Sequence, residues 1–225
     1  MLFIDVVTIC GAVFGILISA HLFHIRNNRA AQALGIYLMS ISILLLEPVM
    51  DERIISEKIT AILLSTSSFL VGPALFVYCN LSLNRSVSLW HFLPALILFI
   101  LILFTPATDF TQNESPGELL LYGMFTVQLF AYTFLSLRLV FRWREGTEMS
   151  GRMTYAFVRM LTSASLGLFS FSFLSTIAGL NKGNIFVAIV QILLTVIIVI
   201  IALVNTEGLE RRPKHEWISK SGTQF

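Results

Sequence analysis

Seven apolar segments fill most of this 225-residue chain and decide what it can fold into. They cover residues 3–25, 30–50, 59–81, 89–107, 119–141, 154–180 and 185–205. A helix needs roughly 20 apolar residues, rising about 1.5 Å each, to cross roughly 30 Å of hydrocarbon. Barrel strands are shorter and alternate in polarity, so these segments predict helices. Mean hydropathy is +0.83 and only 12% of residues are charged, which leaves too little polar surface for a water-soluble fold of this length. The expected fold is an all-α membrane protein, a bundle of seven transmembrane helices over residues 1–205, followed by a short basic tail over 206–225. The first segment lacks the cationic start and small-residue cleavage site of a signal peptide, and it reads as a true span.

Charge sets the expected orientation. Eleven of the 15 Lys and Arg residues fall on one side: Arg26, Arg29, Arg85, Arg138, Arg142, Arg144, Arg152, Arg211, Arg212, Lys214 and Lys220. The other side holds Arg53, Lys58 and Lys182, and Arg159 lies one turn inside the sixth span near the richer side. Basic loops stay in the cytoplasm, so the N-terminus is expected outside and the C-terminus inside. The basic face has anionic lipid headgroups as its natural partner. Nucleic-acid binding is not expected, since no folded basic domain exists to present it.

Chemistry inside the spans is sparse. No aspartate lies in a span interior and no G-x-S-x-G occurs, so an enzyme is not expected. Residues 185–205 contain no lysine to carry retinal, which excludes rhodopsin chemistry. His21 and His24 share a helix face, but a metal site needs further ligands. They read as side chains snorkelling to the interface, and neither metal nor cofactor is expected. Cys10 and Cys79 lie at different depths and read as small buried packing residues.

Three polar groups are the candidates for ligand binding or sensing. Glu47, read as lying near the outer end of the second span, is an intramembrane carboxylate. Gln128 and Gln191 could line a pocket or bond across helices. Gly11 and Gly15, spaced with Ser19 on one face of the first span, favour close helix packing. Gly72 and Pro73 sit mid-span, where proline removes a donor and frees the carbonyl four residues back, so the third helix is expected to kink there.

One stretch is more specific than hydropathy. Gly72-Pro73-Ala74-Leu75-Phe76-Val77-Tyr78, a turn at Asn84-Arg85, then Trp90-His91-Phe92-Leu93-Pro94-Ala95-Leu96 resembles the seven-helix membrane sensor region at the N-terminus of certain bacterial AraC-type transcription regulators. Arg26-Asn27-Asn28-Arg29 and Arg142-Trp143-Arg144 are similar too, and the likeness extends from about residue 10 to 222. It implies a multi-pass sensor of the bacterial inner membrane, relaying a stimulus to a cytoplasmic output. In that family a linker and a helix-turn-helix domain follow the last span, and no residues of that domain follow residue 205 here. The expected partners are the bilayer and either an output protein or a second copy of the chain. A small carrier or channel, or a scaffold subunit of a membrane complex, are the alternative readings.

Overall fold

The computed structural model describes residues 2–25, 28–49, 57–83, 85–104, 116–142, 149–179 and 185–210. Seven α-helices account for most of them: α1 (Leu2–His24), α2 (Arg29–Leu45), α3 (Glu57–Ser82), α4 (Leu93–Phe104), α5 (Pro116–Arg142), α6 (Met149–Ile177) and α7 (Ile185–Glu210). No strand occurs among the described residues. Four helices carry stretches long and apolar enough to cross a bilayer: Asp5–His24, Lys58–Ser82, Gly123–Arg142 and Tyr155–Ile177. The apolar stretches Arg29–Leu45, Leu89–Phe104 and Ile189–Val204 are shorter.

Two of the shorter helices end where local chemistry stops them. Asn28 caps α2 by accepting from the Ala31 N–H at 3.0 Å. At the other end Pro48 cannot donate to a preceding turn and disfavours helical backbone at Glu47. The chain tightens instead into a 3-10 turn over Glu47–Val49, with the Leu46 N–H on Ile43 O and the Val49 N–H on Leu46 O. This corrects the helix boundary read from the sequence: Glu47 lies beyond the end of α2, in the 3-10 turn. Likewise Leu89–Phe92 form a 3-10 turn started by Ser88, and α4 begins only at Leu93, with Pro94 in its first turn. α6 closes at Gly179, whose φ of 67° is the left-handed conformation glycine adopts freely.

Packing follows from small residues. α3 sits against α2, α4, α5 and α6, while α1 lies between α2 and α7. The Gly11–Gly15–Ser19 face of α1 meets α2. A Cβ on Gly15 would collide with Ser42, one on Gly11 would reach Leu45, and Ser19 Oγ donates to Gly35 O at 2.7 Å. That face therefore serves internal packing. Tyr37, Leu38, Leu75, Tyr78 and Leu161 fill the core without solvent exposure beyond 1%.

The distribution of polarity is that of a protein in lipid. Ser19, Thr133, Ser136, Thr162 and Ser165 are fully buried between helices, whereas Leu17, Leu101 and Leu193 stand more than half exposed. In water such an apolar exterior would drive association, but in hydrocarbon it is the solvated surface. The buried hydroxyls bond mostly to carbonyls one turn back on their own helices, as Thr133 does to Leu129 and Ser136 to Tyr132. Of the two thiols, Cys79 is buried as expected, but Cys10 is exposed on α1.

Candidate functional site

A cavity of about 440 Å³ opens where α2 and α6 finish and α3, α5 and α7 begin. The deepest positions along each helix are apolar on four sides: Ile41, Val71, Leu129 and Leu168. Phe125, Phe130, Phe169 and Phe173 contribute aromatic walls. Thr195 of α7 adds a hydroxyl at the depth of Leu168, and Glu47, Ser68, Ser172 and Gln191 lie nearer the mouth. A larger groove of about 660 Å³ runs between α3 and the start of α4, past Leu70, Trp90, Leu96 and Phe99. Its walls are nearly all apolar and merge with the exposed apolar surface, so we assign it to the lipid-facing exterior.

Of the three sensing candidates, the structure brings two together. Glu47 and Gln191 line the same cavity from α2's terminal turn and from α7. Gln191 Nε2 donates to Ser172 Oγ at 2.9 Å, tying α7 to α6 across the cavity wall. Gln128 is used elsewhere. Its Nε2 donates to Phe69 O at 3.1 Å, and Phe69 is the residue whose carbonyl Pro73 leaves without its helical donor. α3 runs as one helix through Pro73, and α5 supplies the missing hydrogen bond.

The neighbouring Gly72 lets α5 come close enough to do this. A Cβ there would lie 3.2 Å from Tyr132 Cβ and 3.6 Å from Leu129 Cα. Tyr132 is also where the second half of the motif arrives. His91 Nδ1 and Tyr132 OH share a hydrogen bond of 3.1 Å, and the His91 ring stands edge-on to Phe76 at 5.0 Å. Gly72, Phe76 and His91 thus clasp one tyrosine of α5, which gives the Gly-Pro and His-Phe-Leu-Pro segments a shared structural role.

Below the cavity floor lies a pair of cross-helix bonds that hydropathy did not flag. Ser165 and Thr162 each donate their only hydroxyl proton to their own helix, at Leu161 O and Val158 O. Tyr37 must therefore donate to Ser165 Oγ, and the Cys79 thiol to Thr162 Oγ1 at 3.6 Å. A signal for the first was available: a tyrosine in the middle of a span, away from either interface, needs a partner for its hydroxyl.

The basic residues lie at the other end of the helices. Arg138 and Arg142 are exposed near the end of α5. Arg159 is exposed on α6, with its guanidinium carbon 5.5 Å from the centre of the Phe141 ring. Arg152 belongs to α6, whereas Arg144, Arg211 and Arg212 lie outside the described residues. Among the described residues no group of three His, Cys, Asp or Glu could hold a metal ion.

No protein-family model, characterised protein or solved structure matches this chain.

Proposed function

We propose that this chain is a seven-span sensor of the bacterial inner membrane, with its N-terminus outside and its basic C-terminal face in the cytoplasm. It receives a stimulus at the cavity beside Glu47 and relays it through helix movement to a cytoplasmic output. The resemblance of the Gly72–Tyr78 and Trp90–Leu96 segments to the membrane input region of AraC-type regulators supports the reading. The observation that carries it is the connection made by α6. That helix lines the cavity at Ser172, holds α2 through Ser165 and α3 through Thr162, and carries Arg159 toward the basic end. A shift of α6 driven by occupancy of the cavity reaches the basic face through those bonds.

A carrier is the second reading, since the cavity has the size of a small-molecule site. The apolar floor argues against it. A transported solute would have to pass Ile41, Val71, Leu129 and Leu168 and then the buried Tyr37–Ser165 pair.

Two experiments test the proposal. For topology, cysteines introduced at Asn113 and Gly146 are treated with an impermeant thiol reagent on intact cells. Labelling is expected at residue 113 and protection at 146, and the reverse pattern overturns the orientation. For signalling, a reporter output domain is fused after Phe225 and its response followed across external conditions. Glu47→Gln is expected to leave insertion intact and reduce the response at least about fivefold, equivalent to the lower end of the roughly 1–3 kcal/mol range of coupling between sites. A response equal to wild type removes Glu47 from the relay.

A further inference from the structure

We infer that the cavity binds a small cationic amphiphile, a molecule with a protonated amine at one end and a compact apolar or aromatic body. The inference deepens the sensor reading, and rests on it only for the use to which binding is put. It comes from counting what the cavity walls can donate and accept.

Three features set the ligand's chemistry. Among the described residues the cavity has one charged group, the Glu47 carboxylate at its mouth, and neither Lys nor Arg lines it. An ionised carboxylate only accepts hydrogen bonds. Two of the lining hydroxyls are spent as donors: Ser68 Oγ donates to Leu64 O at 2.8 Å, and Thr195 Oγ1 to Gln191 O at 2.8 Å. Each hydroxyl has a single proton, so lone pairs are what these two offer a ligand. Gln191 commits an amide proton to Ser172 in the same way. Ser68, Thr195 and the Glu47 carboxylate therefore present acceptors to a ligand, and the carboxylate makes the mouth negative. An ammonium group, with three donors and a positive charge, complements the Glu47 carboxylate, whereas a carboxylate or phosphate finds no cation to pair with among the described lining residues.

The walls set the rest. Phe125, Phe130, Phe169 and Phe173 line the space, and aromatic rings suit an apolar body and also attract a cation. At about 440 Å³ the cavity lies toward the small end of the roughly 300–1,000 Å³ typical of small-molecule sites, and a two-chain phospholipid does not fit. The apolar floor and the acidic mouth orient the molecule with its amine outward toward Glu47.

The test uses the full chain in lipid nanodiscs and three probes of one shape: 2-phenylethylamine, 2-phenylethanol and 3-phenylpropionate. Binding is measured by calorimetry. The expected order is amine tighter than alcohol, with the carboxylate weakest. Glu47→Gln is expected to weaken the amine about tenfold or more and leave the alcohol within about twofold, since charge-assisted bonds outweigh neutral ones. Glu47→Asp should retain part of the amine preference, and the thermal melt of each variant checks that it is folded. Equal binding of the three probes, a preference for the carboxylate, or an amine affinity unmoved by Glu47→Gln each overturns the inference. The two readings fail separately. A reporter that responds to some stimulus while amines do not bind leaves the sensor and removes the ligand class. Amines that bind without any reporter response do the opposite.

Discussion

Gly72→Leu is expected to destabilise the fold by about 3 kcal/mol, the upper part of the usual range for overpacking a filled site. The reason is the closeness of α5. A Cβ at Gly72 would already lie 3.2 Å from Tyr132 Cβ and 3.3 Å from Tyr132 Cδ2, with the Leu129 backbone at 3.6 Å behind them. Tyr132 cannot swing aside cheaply, because its hydroxyl is held by His91 and its ring packs on Phe76. A leucine must push α5 away from α3, and the Gln128 to Phe69 hydrogen bond stretches with it. Gly72→Ala should be nearly neutral, since helix propensity gains up to about 1 kcal/mol while the crowding costs a similar amount. Gly167→Leu is the control. A Cβ on that glycine of α6 meets nothing within 4 Å, so the change should be tolerated. Unfolding in mixed micelles of increasing denaturing detergent measures all three. A Gly72→Leu variant as stable as Gly167→Leu shows that the close approach of α3 and α5 is not what the glycine is for.

What could be read from the residues, and what could not, divides along physical lines. The helices follow from hydropathy, and α1, α3, α5, α6 and α7 lie close to the apolar segments that define them. α2 is shorter than its apolar run because hydropathy weighs side chains, whereas Pro48 acts on the backbone. The apolar residues after Leu45 extend the span on paper, and the missing N–H ends the helix before them. The same difference puts Glu47 beyond the end of α2 and on the rim of the cavity.

Partners across helices are harder, for a different reason. A helix that is apolar on all sides has no strong face, so its sequence says little about which residues point inward. Pro73 announces that the carbonyl of Phe69 needs a donor. It cannot say that Gln128 of α5 is the donor, since that depends on how α5 is rotated and how close Gly72 lets it come. Glu47 and Gln191 could both be placed near the same end of the bundle from span order alone. That they share a cavity, and that Gln191 reaches Ser172, needed the packing. The orientation of α2 against α6, which pairs Tyr37 with Ser165, is information of the same kind.

The Pro73–Gln128 relationship yields the second large effect, and it is a coupling. Gln128→Leu is expected to cost about 1–2 kcal/mol, because it removes the donor that stands in at the Phe69 carbonyl for the N–H that Pro73 lacks. Hydrogen bonds between membrane helices often contribute less, near 0.6 kcal/mol, because alternative partners form once they are lost. Here the obvious alternative, the N–H four residues along α3, does not exist while residue 73 is proline. Pro73→Ala restores that N–H. In the Pro73→Ala background the Phe69 carbonyl has an intrahelical donor, and Gln128→Leu should then cost less than about 0.5 kcal/mol, the level of an ordinary substitution at a half-buried position. The double-mutant cycle is therefore expected to give a coupling of about 1 kcal/mol or more between two residues on different helices that are linked only through the backbone oxygen of a third. Unfolding of the four proteins in the same detergent series gives the number. If Gln128→Leu costs the same with and without the proline, the glutamine is not there to complete the helix that Pro73 interrupts, and the clasp at Tyr132 alone sets how α3 and α5 meet.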